Sequence, residues 1–141
     1  MKKILLFSLI IVLLTSCNNN NESVKVSDNL ISVLKVNINN VDYTMNLENN
    51  KTVEEFVNIL PKTFKMNELN GNEKYVYLDE SLTTNSSNPK TINVGDVMLY
   101  GDNCLVIFYK TFDTSYSYTK IGHIDNLPDL GASSITISIS K

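Results

Sequence analysis

The sequence contains no arginine, no glutamine and no tryptophan, and all 12 of its basic residues are lysines. Without a guanidinium group, the chain cannot hold a phosphate or a carboxylate through two parallel hydrogen bonds. Its 15 acidic residues give a net charge of −3, so we do not expect nucleic acid as a partner. A single histidine excludes metal sites that need two or three histidines.

The residues that are present suffice for one folded domain. Hydrophobic residues make up 43% of the 141 positions and charged residues 19%, which is enough to bury a core. No phosphate-binding loop, nucleophile elbow or zinc motif occurs in the sequence. We therefore expect no metal and no cofactor, and we assign no catalytic residue.

The N-terminus combines a basic end with a short apolar run. Lys2 and Lys3 precede residues 4–14, which are apolar except for Ser8. A helix of that length spans about 16 Å, roughly half of a hydrocarbon core, so the run is typical of a signal peptide. It ends in Leu-Thr-Ser-Cys at residues 14–17, which resembles the bacterial lipobox. The alternative is an ordinary secreted protein with a cysteine near its cleavage site.

The lipobox resemblance implies that Cys17 carries a diacylglycerol and becomes the new N-terminus. We accordingly expect a lipoprotein signal peptide at residues 1–16, a flexible tether at 17–32 and one domain at 33–141. The acyl chains would anchor the protein in the membrane on the extracytoplasmic side of the cell envelope. Cys104 would then be the only free thiol, so no disulfide could form within the chain. We expect a monomer.

Short strands dominate the expected secondary structure. Apolar and polar residues alternate on both sides of Asn39-Asn40, which predicts a hairpin with a type I′ turn. One helix is predicted from about Thr52 to Leu60, with Thr52 and Glu55 as a capping box. Residues 125–130 are compatible with a helical turn near Asp125. Further strands are predicted within residues 63–69, 75–78, 97–100, 104–109, 116–124 and 135–139. Seven or eight strands and one helix that caps them predict a small antiparallel barrel, closed or nearly closed.

Several of these segments resemble a bacterial cyclophilin-like barrel family. They include Gly-Asp-Val-Met-Leu-Tyr at residues 95–100 and Leu-Val-Ile-Phe-Tyr at 105–109. Three other segments match within residues 60–66, 70–75 and 115–122, and the motifs are specific as a set rather than singly. The resemblance covers nearly the whole domain and implies a cyclophilin-like barrel. True cyclophilins isomerise prolyl bonds with the help of an arginine. This chain contains no arginine, so no residue of it takes over that role from the resemblance.

Aromatic side chains supply the candidate ligand site. Tyr116 and Tyr118 lie two residues apart, so both rings leave the same face of an extended strand. The candidate ligand-binding residues are Phe64, Met66, Tyr77, Phe108, Tyr116 and Tyr118. In the pocket hypothesis, the tyrosines form a wall and the other three an apolar floor. The alternative is that these side chains simply fill the barrel interior.

Cys104 and His123 are the remaining candidates for chemistry. Cys104 begins an apolar strand, which favours a buried small side chain over a nucleophile. His123 follows Gly122 near a strand end, and a dyad with Cys104 on an adjacent strand is conceivable.

Three functions remain open from the sequence. The first is a lipid-anchored binding protein whose aromatic groove holds a peptide or a small ligand. The second is a weak or atypical peptidyl-prolyl isomerase that lacks the arginine and uses Lys74, a tyrosine hydroxyl or His123 instead. The third is a structural or surface-interaction module with a packed barrel.

Overall fold

The computed structural model describes residues 30–141. The predicted signal peptide, Cys17 and most of the predicted tether lie outside the described residues. The elements in chain order are β1 (Val33–Ile38), β2 (Val41–Leu47), α1 (Lys51–Asn58), β3 (Lys62–Leu69), β4 (Glu73–Tyr77), β5 (Thr91–Ile92), β6 (Asp96–Tyr100), β7 (Cys104–Phe108), β8 (Phe112–Asp113), β9 (Thr119–Ile124) and β10 (Ile135–Ser140).

Eight of these strands form a closed barrel in the order β1-β10-β3-β4-β7-β6-β9-β2. All neighbours are antiparallel, and β2 closes the barrel by pairing with β1. The mainly β prediction with a small barrel and one helix is confirmed.

The two short strands β5 and β8 pair with each other and form a separate ribbon. The sequence did not predict this ribbon, because two residues are too short for a recognisable alternation.

The β1–β2 hairpin follows the predicted turn chemistry. Asn39 and Asn40 have φ of 52° and 65°, and Ile38 pairs with Val41 across the turn. Two consecutive positive φ values define the type I′ turn, which asparagine tolerates better than most side chains. The turn sets the register that places Leu34, Val36 and Ile38 in the barrel interior.

The helix begins earlier than predicted, and its capping residue differs. Asn50 is the N-cap, and its side chain accepts a hydrogen bond of 2.9 Å from the backbone N–H of Val53. The predicted capping box is wrong, because Thr52 lies inside the helix and donates its hydroxyl to the carbonyl of Thr83. Glu55 accepts from the backbone N–H and the hydroxyl of Thr83. The helix ends at Asn58, two residues before the predicted end.

Replacing Asn50 with alanine is expected to lower the free energy of unfolding by about 1–2 kcal/mol. The substitution removes the N-cap acceptor and also the hydrogen bond from the Asn50 amide to the carbonyl of Lys120. Urea denaturation of Asn50→Ala checks this. Asn49→Ala, at the exposed preceding position, serves as the control and should change stability by less than about 0.5 kcal/mol. Equal stability of the two variants would contradict the assignment of the cap.

The apolar face of α1 packs into the barrel interior. Val53, Phe56 and Val57 are buried in the same cluster as the inward side chains of the strands. Since the wall of the barrel is closed, the helix can reach this interior only through an open end. The helix therefore covers one end of the barrel.

A second apolar cluster lies on the outer face of the barrel wall. Leu105 and Ile107 of β7 point into the main core, whereas the alternate residues Cys104, Val106 and Phe108 belong to this outer cluster. Both faces of β7 are therefore buried, which explains its unbroken apolar sequence. The members of the outer cluster are Ile92, Met98, Cys104, Val106, Phe108 and Tyr118, with Tyr75 and Phe112 packed against them.

A completely buried lysine fixes the orientation of β4. The Lys74 ammonium donates to the Glu68 carboxylate and to the carbonyls of Gly131, at 2.5 Å, and Ser133, at 2.8 Å. These three acceptors use all three donors of the ammonium group. Glu68 also accepts from the Tyr109 hydroxyl, at 2.9 Å. The network joins β3, β4 and the segment before β10.

Residues 125–130 do not form the helical turn that the sequence suggested. Asp125 and Asn126 form a turn instead, and residues 127–130 are irregular. Asn126 adopts a φ of 54°, and this left-handed conformation prevents a right-handed helix from continuing through it. Within residues 30–141, no helix has the length and apolar character needed to cross a membrane.

Candidate ligand-binding cavity

One wall of the candidate site comes from β4. Glu73, Tyr75 and Tyr77 lie at alternating positions and line the same cavity on the outside of the barrel. Lys74, between them, is fully buried on the opposite face. The period-two geometry of a strand therefore presents one carboxylate and two tyrosine rings on a single surface.

The facing wall comes from the segment between β8 and β9. Tyr118 is held against Ser87 by two backbone hydrogen bonds of 2.9 and 3.0 Å. The Tyr118 ring is buried against Phe108, with centroids 5.5 Å apart and planes at 89°. Phe108 also supports Phe112, at 5.7 Å. Tyr118 thus connects the cavity to the outer apolar cluster beneath it.

The two walls enclose a cavity of about 470 Å³. This volume lies within the range of about 300–1,000 Å³ found for small-molecule sites. Cys104 and Val106 of β7 lie between the walls, and Tyr77 and Tyr116 are 67% and 61% exposed at the rim. The lining residues are Leu69, Asn70, Asn72, Glu73, Tyr75, Tyr77, Tyr100, Cys104, Val106, Phe112, Asp113, Thr114, Ser115, Tyr116 and Tyr118.

The aromatic rings contact one another mainly by their edges. Tyr100 stands 6.0 Å from Tyr116 at an interplanar angle of 86°, and 5.6 Å from Tyr118 at 53°. Tyr75 and Tyr77 are also 6.0 Å apart, at 79°. Edge-to-face contacts are a favoured arrangement for aromatic pairs, so the rings support one another along the cavity.

The charge of the cavity is entirely negative. Glu73 and Asp113 line it, and no lysine does. Burial, together with the nearby charge of Glu68, raises the pKa of Glu73 above its usual range. The pKa of Tyr118 is raised mainly by burial, and the charge of Glu73 raises it further. Asn72 adds a buried side-chain oxygen that has no hydrogen-bond partner among the described residues. The site therefore offers acceptors and negative charge to a ligand.

Comparison with known protein families agrees with this architecture. The cyclophilin-like family matches residues 36–140, which contain all of the barrel strands except the first residues of β1. The chain belongs to the cyclophilin-like family. The family resemblance inferred from residues 95–100 and 105–109 is thereby confirmed. No curated protein matches this cyclophilin-like chain, and no solved structure matches it either.

A second match concerns the N-terminus of the cyclophilin-like protein. A prokaryotic membrane lipoprotein lipid attachment site matches residues 1–18. Cys17 is the cysteine within this range. The protein is thus a cyclophilin-like lipoprotein, and the match implies membrane anchoring through lipid on Cys17.

The six residues proposed from the sequence fall into three places. Tyr77, Tyr116 and Tyr118 line the outer cavity of the cyclophilin-like barrel. Phe108 lies behind the cavity and supports Tyr118. The last two residues, Phe64 and Met66, are buried in the barrel interior.

Phe64 and Met66 therefore do not share a site with the three tyrosines. Their alternate positions on β3 both face inward, so the barrel wall separates them from the cavity. Cys104 and Val106 take the place predicted for an apolar floor. The lining residues that the prediction missed include Glu73, Tyr75, Tyr100, Phe112 and Asp113.

The suggested dyad of Cys104 and His123 is wrong. Cys104 pairs with Tyr100 at one end of β6, whereas His123 pairs with Asp96 at the other end. Four residues of strand separate these positions by about 13 Å. His123 instead contacts the Asp96 carboxylate at 3.2 Å. Within residues 30–141, no group of three or more His, Cys, Asp or Glu side chains is arranged to hold a metal ion.

Cys104 is expected to react at least tenfold more slowly with iodoacetamide at pH 7 than an unhindered cysteine. Burial and the nearby Glu73 raise the pKa of its thiol, which lowers the fraction of reactive thiolate. Mass spectrometry of the alkylated protein checks this, because it distinguishes Cys104 from Cys17, the cysteine of the lipid attachment site. Unfolding in urea should restore the rate. Fast reaction of the folded protein would show that the thiol is activated.

Proposed function

We propose that this cyclophilin-like lipoprotein is an extracytoplasmic binding protein that holds a small ligand or a short peptide segment in its outer aromatic cavity. The lipid on Cys17, after removal of a signal peptide at residues 1–16, would anchor the protein to the membrane. Residues 17–32 would serve as a tether for the domain at 33–141. The binding step needs no covalent chemistry.

A single observation carries this proposal, namely the cavity of about 470 Å³ lined by five tyrosines and open to solvent at its rim. The barrel interior is packed, since inward residues such as Phe64, Met66 and Ile107 are buried in one core. A packed interior alone would favour a purely structural module. The separate outer cavity, with its exposed aromatic rings, favours a binding protein instead.

Isomerase activity has less support from this site. The chain has no arginine, and Lys74 cannot replace it because its three donors are already used on the other face of β4. His123 is paired with Asp96, which does not line the cavity. Tyrosine hydroxyls remain as donors, but a neutral hydroxyl polarises an amide less strongly than a guanidinium.

A ligand-observed NMR screen tests the binding function. Mixtures of metabolites and short peptides are added to the full-length lipoprotein in a nonionic detergent, and saturation transfer is measured. We expect hits whose signals weaken in Tyr116→Ala, which removes an exposed ring of the cavity. Tyr43→Ala is the control, since Tyr43 packs against the main core away from the cavity. A screen without hits, or hits that both variants retain, would count against the proposal.

The extracytoplasmic orientation has its own test. Protease is added to intact cells, or to spheroplasts if an outer membrane shields the protein. We expect the domain to be degraded while a cytoplasmic marker stays intact. Degradation only after lysis of the cells would place the domain on the cytoplasmic side and contradict the proposal.

A further inference from the structure

The outer cavity combines aromatic rings with carboxylates that have no counter-ion in the part of the chain that the structure describes. Five tyrosines and Phe112 supply ring surface, while Glu73 and Asp113 supply the charge. Cations are attracted to the faces of aromatic rings, and recognition of organic ammonium groups by such cages is a recurrent use of this interaction. A lysine of the protein itself could fill this role.

The described residues provide no such cation. Neither Glu73 nor Asp113 takes part in any ion pair within residues 30–141. Asp113 accepts a hydrogen bond of 2.8 Å from the Thr91 hydroxyl, which is neutral. Lys74 is adjacent to Glu73 in sequence, but its side chain is buried on the opposite face of β4, where it forms an ion pair with Glu68. The carboxylates of the cavity thus have no partner of opposite charge among residues 30–141.

Glu73 is also partly withdrawn from water. Its side chain is half-buried, and burial together with the Glu68 charge raises its pKa. A half-buried carboxylate without a counter-ion is unfavourable, and a bound cation would relieve this.

We propose that the ligand of this cavity is a small soluble organic cation, whose ammonium group sits among the tyrosine rings and is paired with Glu73. This inference rests on the proposed binding function and adds the chemical class of the ligand. The cavity volume of about 470 Å³ fits a small molecule. Tyr75 and then Tyr77 follow Glu73 on the same face of β4, and all three line the cavity.

Choline and its neutral isostere 3,3-dimethylbutan-1-ol test this class of ligand, because the two molecules have nearly the same shape and differ in charge. Binding to the full-length lipoprotein is measured by calorimetry in a nonionic detergent without ammonium head groups. Tyrosine fluorescence provides a second readout, since the chain contains no tryptophan. We expect choline to bind at least tenfold more tightly than the neutral isostere.

Substitution of the carboxylate shows whether Glu73 causes the preference. Glu73→Gln keeps the size of the side chain and is expected to reduce the preference for choline at least fivefold. Glu80→Gln is the matched control, because Glu80 is exposed, contacts Lys62 and does not line the cavity. It should leave the preference unchanged. Thermal unfolding of both variants shows whether they fold.

Three results would overturn the inference. Equal binding of choline and the isostere would show a site that selects shape rather than charge, and the binding function would stand without the cation. An unchanged preference in folded Glu73→Gln would remove Glu73 from the site. If neither probe binds, the class of ligand is wrong, and the NMR screen with its neutral compounds and peptides decides the binding function separately.

Discussion

Replacing Glu68 with leucine is expected to lower the free energy of unfolding by about 3–5 kcal/mol, which is the usual effect of leaving a buried charge without its partner. The Lys74 ammonium is completely buried, and Glu68 is its only anionic contact among the described residues. Two carbonyls would remain as acceptors, but they cannot neutralise the charge. Urea denaturation of Glu68→Leu measures the loss.

Two further variants make this result specific. Glu80→Leu removes an exposed ion pair with Lys62 and should lower the free energy of unfolding by less than about 1 kcal/mol. The double variant Glu68→Leu/Lys74→Met removes both charges and should be more stable than Glu68→Leu alone. A loss in Glu68→Leu no larger than that in Glu80→Leu would show that Lys74 does not depend on this carboxylate.

The same network gives stability a defined dependence on pH. Burial tends to raise the pKa of Glu68, but hydrogen bonds from Lys74, Tyr109 and Gly71 outweigh it and hold the pKa below its usual range. A carboxylate with a lowered folded-state pKa stabilises the fold above the ordinary glutamate pKa. This contribution is lost as the pH falls through the lowered value. The free energy of unfolding should therefore fall less on acidification in Glu68→Leu than in the unmodified protein.

Replacing Tyr118 with alanine is expected to lower the free energy of unfolding by about 3 kcal/mol and the affinity for choline at least tenfold. Tyr118 is 8% exposed, and its ring contacts both Phe108 below and Tyr100 beside the cavity. Truncating a buried aromatic side chain leaves a space that the surroundings fill only partly. Calorimetry with choline and urea denaturation measure the two effects.

Tyr116 separates the effect on binding from the effect on stability. Its ring is 61% exposed and contacts the edge of Tyr100, so Tyr116→Ala should change stability by less than about 0.5 kcal/mol. The affinity for choline should still fall, because one wall of the cavity is lost. Tyr118→Phe should keep the stability, since the ring remains. Unchanged choline affinity in Tyr118→Ala would mean that the ligand lies elsewhere.

Elements that depend on only a few neighbouring residues could be predicted from the sequence. The type I′ turn at Asn39-Asn40 needs two positive φ values, and asparagine supplies them. The helix was predicted from its apolar spacing, but its cap was not. Asn50 and Thr52 are both suitable N-cap residues. The Thr52 hydroxyl donates to the backbone carbonyl of Thr83, which is distant in sequence, so the local sequence does not show which residue forms the cap.

The candidate site was predicted in part for a comparable reason. Alternation shows which residues share one face of a strand, so the pairing of Tyr75 with Tyr77 was foreseeable. It does not show which face becomes the interior, so the sequence left open whether Phe64 and Met66 line a pocket or fill the barrel, and in the structure they fill the barrel. The outer face is covered by the β5–β8 ribbon, and its two-residue strands carry no pattern. The unbroken apolar runs of β6 and β7 were the signal that both faces of the wall are buried there.

Tyrosine-specific NMR tests most directly whether the outer cavity is the ligand site. The chain has seven tyrosines, of which Tyr75, Tyr77, Tyr100, Tyr116 and Tyr118 line the cavity. Tyr43 and Tyr109 lie outside it and pack with the barrel core. The lipoprotein is labelled with ¹³C in its tyrosine rings, and choline is titrated while the seven ring signals are followed. We predict shifts confined to the five cavity tyrosines, with Tyr43 and Tyr109 unchanged. Shifts at Tyr43 or Tyr109 alone, or no shift at saturating choline, would contradict a cation-binding cavity on the outer face of the barrel.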